Sequence, residues 1–206
     1  KEFSFLSILS GSCINYINLS NIASAMITEG TTEALTTDYA YIMNDDGTIS
    51  VSGYTGSDTD LTVPGLIDGY VVTGIADHAF EANADIKSIT LPNGLITIGE
   101  SAFSDCSSLT TVVIPDTVGT IRRGAFISCT ALTTLDIPAS VTEIMEEAFT
   151  GCAALKDLTV ESSTVEFTNW WVDTDEIPSD LTITCPKDSK IAAWAEKNNV
   201  ATEPLS

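Results

Sequence analysis

The 206-residue sequence has one histidine and only eight lysines and arginines, set against 29 aspartates and glutamates. It contains no Cys-x-x-Cys pair. Each scarcity excludes something. Eight cations scattered from Lys1 to Lys197 cannot build the basic surface that nucleic acid or an anionic membrane requires. Without Cys-x-x-Cys, the usual zinc and thioredoxin spacings are missing, and neither a P-loop nor Gly-x-Gly-x-x-Gly nor His-Glu-x-x-His is present. With His78 as the sole imidazole, a Ser-His-Asp or Cys-His mechanism would have to use that residue as its base. No stretch reaches the roughly 18 apolar residues of a membrane span. A net charge of -21 alone would suit a disordered chain, but 44% hydrophobic residues is too rich for that class. The chain therefore folds around a real core and presents an acidic surface.

What the sequence has in abundance is repetition. Ala-Phe recurs at 79–80, 102–103, 125–126 and 148–149, and each step is 23 residues. Three residues beyond each Phe stand Asn83, Cys106, Cys129 and Cys152. Six beyond stand Ile86, Leu109, Leu132 and Leu155. Nine beyond stand Ile89, Val112, Leu135 and Leu158, and eleven beyond stand Leu91, Ile114, Ile137 and Val160. Pro92, Pro115 and Pro138 follow the first three of these last positions. Leu95 and Ile98, Val118 and Ile121, and Val141 and Ile144 complete the unit.

Columns of this kind predict a solenoid. Leu109-x-x-Val112-x-Ile114 is the L-x-x-L-x-L core of a leucine-rich repeat, whose last two apolar residues alternate with period two and so form a short strand facing inward. Proline then removes a ladder donor and ends the strand. One 23-residue coil cannot bury its own apolar face, so stability comes from stacking on neighbours, and both ends need sealing. Upstream, Asn44-Asp45-Asp46-Gly47 lies between two alternating runs and predicts a hairpin. Leu61-Thr62-Val63-Pro64 imitates a strand-Pro unit, and an excursion around Ile67-Asp68-Gly69-Tyr70 absorbs extra length. Downstream the Ala-Phe disappears and Trp170-Trp171 arrives. Leu181–Cys185 predicts one more strand, and Ser189 caps a short helix through Lys197 whose Ile191, Trp194 and Ala195 cover the last layer. The fold expected is a β-rich leucine-rich-repeat solenoid with a parallel strand face, an N-terminal hairpin cap and a C-terminal helical cap. Its divisions are an N-terminal segment (1–38), hairpin cap and first strand (39–64), repeats (65–160), and an atypical last repeat with helical cap (161–206).

The unit from Ile114 to Pro138, carrying Gly-Ala-Phe-Ile-Ser-Cys between its two Ile-Pro pairs, resembles the BspA-type leucine-rich repeat of bacterial surface proteins. The leader from Asn44 to Leu61, the insert Ile67–Val72 and the ending from Cys185 to Asn198 are similar to that family's usual entry and closure. The resemblance implies secretion or surface display and adhesion to proteins of a host or another cell, fibronectin and fibrinogen among them. It brings no catalytic residue and no cofactor. Asn83 in place of Cys, and Glu161 in place of Pro, depart from the pattern at the two ends, where capping repeats are atypical.

Residues 1–38 lack the period. Phe3–Leu9 is a short apolar run after Lys1, and Ala23-Ser24-Ala25 fits the small-x-small cleavage pattern of a secretory signal, with a loosely packed arm as the alternative. Ser10-Gly-Ser-Cys13 is a weaker match to a lipoprotein acylation site, since the expected leucine is missing.

Cys106, Cys129 and Cys152 sit in one column, where adjacent coils lie about 5 Å apart, so distance permits a disulfide. Three parallel side chains cannot all pair, and the expectation is buried small hydrophobes without disulfide or metal. His78 shares its column with Ser101, Gly124 and Glu147, which reads as a tolerant surface turn. Glu143, Glu146 and Glu147 read as a solvated turn. Asp58-Thr59-Asp60 and Asp173–Glu176 read as loops without calcium-site spacing. The strand surface remains as the candidate binding site, with an edge site near Tyr54, Tyr70, Trp170 and Trp171 as the alternative. Its outward residues at the centre are Thr111, Val113, Thr134, Asp136, Asp157 and Thr159. The stripe continues through Ser88 and Thr90 to one side and Thr182 and Thr184 to the other. It is rich in threonine and lacks the aromatics of a sugar platform. The reading is a non-catalytic, secreted or surface-displayed protein-binding module with a protein partner and no metal. A repeat appendage of a carboxylate-dependent hydrolase and a structural spacer are the alternatives.

Overall fold

The computed structural model describes residues 38–171 and 177–205. The expectations for residues 1–37 and for Asp173–Glu176 lie outside the described residues. The described chain enters through a hairpin, β1 (Tyr39–Met43) and β2 (Ile49–Tyr54), followed by β3 (Asp60–Thr62) and a smaller hairpin, β4 (Leu66–Ile67) and β5 (Tyr70–Ile75). Each coil then contributes two strands: β6 (Ser88–Thr90) with β7 (Thr97–Ile98), β8 (Thr111–Val113) with β9 (Thr120–Ile121), β10 (Thr134–Ile137) with β11 (Glu143–Ile144), and β12 (Asp157–Val160) with β13 (Glu166–Phe167). Strand β14 (Thr182–Cys185), helix α1 (Lys190–Lys197) and strand β15 (Ala201–Pro204) follow.

Parallel pairing stacks these coils in register. β3, β6 and β8 form one ladder, and β10, β12, β14 and β15 another, with β10 beside β8, so the L-x-x-L-x-L strands make one continuous face. The register is 23 residues at each step between repeats, as in Ile89 opposite Val112 and Leu135 opposite Leu158. All the apolar columns are buried, from Phe80–Phe149 to Ile98–Ile144, along with the three thiols. The phenylalanines form a ladder: rings of Phe80, Phe103 and Phe126 stack nearly parallel at 5.2 and 5.3 Å, and Phe149 follows at 6.0 Å.

A second parallel sheet was not foreseen from sequence. β5, β7, β9, β11 and β13 pair side by side, and the entry hairpin joins this sheet through β2. Its repeat strands are two residues long, with one residue out and one in, as in Thr120–Ile121. Two residues are too few to display a period of two, so the sequence pattern reads simply as a turn. Glu143, expected in a solvated turn, begins β11, and Asp60, expected in a loop, begins β3.

A third backbone ladder runs through the Ala-Phe turns. Phe80, Phe103 and Phe126 donate their N–H groups to the carbonyls of Ala102, Ala125 and Ala148 of the next coil at 2.8–2.9 Å. The preceding residues His78, Ser101, Gly124 and Glu147 all have φ between 51° and 62°, and their N–H groups donate to the next coil as well. Left-handed backbone here aims successive donors along the stack, although only one member of the column is glycine. The column at His78 therefore tolerates varied side chains because its backbone, not its chemistry, is shared.

Both ends are closed. In the small hairpin, Asp68 and Gly69 both take positive φ (52° and 84°), the requirement of a two-residue turn between strands of right-handed twist. At the other end Trp170 takes the place of the missing Phe: Phe149 donates its N–H to the Trp170 carbonyl, and the two rings meet edge on at 5.9 Å. Trp194 on α1 packs against Trp170 and Trp171 at 5.0 and 5.8 Å. Ser189 caps the helix by accepting from the Ala192 N–H at 3.1 Å, and Ile191 and Ala195 are buried. Beyond the expected helical closure, β15 adds an exposed edge strand to β14. Among the described residues no helix is long and apolar enough to cross a membrane.

Candidate binding face

The inward residues Val112, Leu135 and Leu158 anchor the strands β8, β10 and β12, and strand alternation then forces their neighbours outward. Thr111 and Val113 project from β8, Thr134 and Asp136 from β10, and Asp157 and Thr159 from β12. All are exposed except Thr159, which is half-buried. Thr134 lies opposite Asp157 and Asp136 opposite Thr159, so each carboxylate on these strands stands beside a hydroxyl. The stripe continues to Thr182 and Thr184 on one side and to Ser88 and Thr90 on the other. The structure thus brings together all six residues singled out from sequence.

The surface is polar and acidic. Asp60 ends it on the N-terminal side, accepting from the Ser88 hydroxyl at 2.6 Å, which holds its carboxyl below the usual range. Lys156 precedes β12 and pairs with Asp180 at 3.2 Å. None of the six residues lines the groove beside the entry hairpin or the two beside α1. Val113 is the one large exposed apolar side chain on the stripe. Such a face offers hydrogen bonds and negative charge over a broad area; among its residues there is no imidazole or thiol to act as a nucleophile or base.

The other singled-out residues fall elsewhere. Cys106, Cys129 and Cys152 are buried and unbridged, and each thiol donates to the carbonyl of a Phe in the preceding coil (Phe80, Phe103 and Phe126) at 3.1 Å. Burial pushes the Cys106 and Cys152 thiols up to about 12, and Cys129 upward too. Asn83 fills the equivalent place in the first repeat and instead accepts from the Asp85 and Ile86 N–H groups. His78 is exposed and pairs with Glu81 at 3.0 Å. Glu147 accepts a guanidinium contact from Arg123 at 2.9 Å, so this acid belongs to an ion pair across coils. Among the described residues no cluster of His, Cys, Asp and Glu is arranged to hold a metal.

Sequence reasoning missed a groove on the opposite sheet, where β1, β2, β5 and β7 meet. No signal in the sequence pointed to it, because its lining comes together only when β5 and β7 pair.

The comparisons agree with this architecture. Residues 72–180 match the family described as BspA type Leucine rich repeat region, in six copies. A leucine-rich repeat protein of T. pallidum superposes with a TM-score of 0.67 at 25% identity, covering 74% of this chain and 71% of that one. One from Bacteroides capillosus gives 0.54 at 32% identity over 59% of this chain and 92% of its own. A leucine-rich cell surface protein of Faecalibacterium prausnitzii gives 0.54 at 27% identity over 84% of this chain, which spans only 47% of that protein. No curated protein matches. Repeat period, buried columns, parallel register and sequence match together place the chain in the BspA-type leucine-rich repeat family.

Proposed function

We propose that the protein is a non-catalytic, adhesion-type binding module, secreted or displayed at a cell surface, that engages another protein through the L-x-x-L-x-L strand face. The observation that carries this reading is the face itself: Thr111, Val113, Thr134, Asp136, Asp157 and Thr159 are held outward on three adjacent strands by buried neighbours. A rigid strand array costs little ordering entropy on binding, which favours a large protein surface as its partner. The chain's net charge of -21 favours a partner with a basic surface, steered to it at low ionic strength. The similar F. prausnitzii chain is described as a cell surface protein, which supports surface display.

The test is capture of extracellular-matrix proteins, fibronectin and fibrinogen included, and of bacterial surface proteins at low and high salt. Substituting Thr134→Lys and Asp136→Lys together abolishes capture while leaving the melting temperature unchanged, because both side chains are exposed. Capture that survives the double substitution moves the site off this face.

A further inference from the structure

The second sheet carries a feature that the strand face lacks: a groove of about 510 Å³ on its outer surface, beside the entry hairpin. Two buried glycines, Gly74 and Gly99, belong to its lining. A Cβ on Gly99 would lie 2.5 Å from the Ala76 carbonyl carbon, so that position has no room for a side chain, and one on Gly74 would lie 2.5 Å from the Ser50 hydroxyl, which would have to turn away. Ile42 and Ile96 also line it and are about half exposed, at 52% and 54%.

The hairpin wall is preformed. Asn44 donates to the hydroxyls of Thr48 and Thr73 at 2.9 and 3.2 Å and accepts from Ser50 at 3.0 Å, which fastens the turn to the first coil. That turn carries Asp45 and Asp46 to the groove, and Asp77 stands at the far side with Arg122 3.4 Å from its carboxylate. The lining therefore carries three aspartates and one arginine, and that arginine is already paired with Asp77. The volume is within the range of ligand sites, the lining is mixed polar and apolar, and the uncompensated charge is negative.

We infer that this groove binds a segment of a partner protein in which lysine or arginine stands beside aliphatic residues. The cation lies against Asp45 and Asp46, and the aliphatic side chain packs against Ile42 and Ile96. This site is on a different sheet from the strand face and does not depend on that face being used.

The probe is a blocked peptide, Lys-Leu-Lys-Leu-Lys, titrated into the full chain and followed by amide chemical shifts, with Glu-Leu-Glu-Leu-Glu as its counterpart. The lysine peptide shifts Ser50, Gly74, Thr97 and Gly99 at low salt, and the glutamate peptide does not. Asp45→Lys weakens the binding about tenfold, and Ile96→Ser, which leaves the charge untouched, weakens it severalfold. Asp136→Lys makes the same change in net charge on the strand face and leaves the affinity within about twofold, separating a local site from general attraction to an acidic protein. Equal weakening by Asp45→Lys and Asp136→Lys, equal binding of both peptides, or shifts spread away from the groove overturns the inference. The strand-face reading fails separately, through its own capture assay.

Discussion

Replacing Phe103 with alanine removes the middle of a three-ring stack. The ring is fully buried and lies 5.2 Å from Phe80 and 5.3 Å from Phe126, nearly parallel to both. Truncation of a buried Phe costs about 3–5 kcal/mol through lost transfer energy and the cavity left behind. The two ring pairs account for about 0.5–1.5 kcal/mol each within that sum. Collapse around the gap is hindered because coil spacing is fixed on both flanks by strand pairing and by the Phe80 and Phe103 N–H donations to the next coil. For a domain of this size, each kcal/mol moves the melting temperature by about 2–4 °C, so the variant melts about 6–20 °C lower. Circular dichroism at the strand band measures it. Phe167→Ala serves as the comparison, since Phe167 is half-buried and outside the stack, and it costs less. A Phe103→Ala shift under about 2 °C, or no larger than that of Phe167→Ala, refutes the claim that the Phe column holds the coils together.

Gly99→Ala forces a Cβ to within 2.5–2.7 Å of the Ala76–Asp77 backbone and costs about 1–3 kcal/mol, whereas Gly119→Ala meets nothing nearer than 3.9 Å and leaves stability unchanged or slightly raised; urea midpoints compare the two. The buried thiols make stability fall at alkaline pH. Their folded pKa values lie above the unfolded value near 8.5, so above that pH the unfolded chain loses protons that the folded chain keeps, and each of Cys106 and Cys152 removes about 1.4 kcal/mol per pH unit up to about 12. Urea melts between neutral and alkaline pH show this slope, and replacing the cysteines by serine, which retains a donor to the Phe carbonyls, flattens it. Ser189→Ala removes the cap accepted from Ala192 and costs about 1 kcal/mol, read as a lower melting temperature with unchanged strand signal.

The 23-residue period made the core legible in the sequence, because spacing alone assigns Phe80–Phe149, the cysteines and the leucine columns to one interior. It also placed Thr111 to Thr159 outward, since the strand motif fixes which residues face in. The Asp-Gly turn signal and Ser189 marked both ends correctly. Legibility stopped where structure depends on pairing between coils. The strands β7, β9, β11 and β13 have too few residues to show alternation. The left-handed column of His78, Ser101, Gly124 and Glu147 is dictated by hydrogen bonds to the next coil, and only Gly124 bears the residue type that such a backbone favours. β15 carries glutamate and proline and no buried residue, so nothing in its composition marks a strand. The groove emerged only once β2, β5 and β7 were set side by side.

Amide hydrogen exchange at Phe80, Phe103 and Phe126 tests the stacking most directly, because each of these N–H groups is satisfied only by the carbonyl one coil further on. Stacked coils in this register protect all three amides to nearly the same degree as Ile89 and Val112 in the strand ladder. Rapid exchange at the three phenylalanines alongside protected strands contradicts the register and the solenoid built on it.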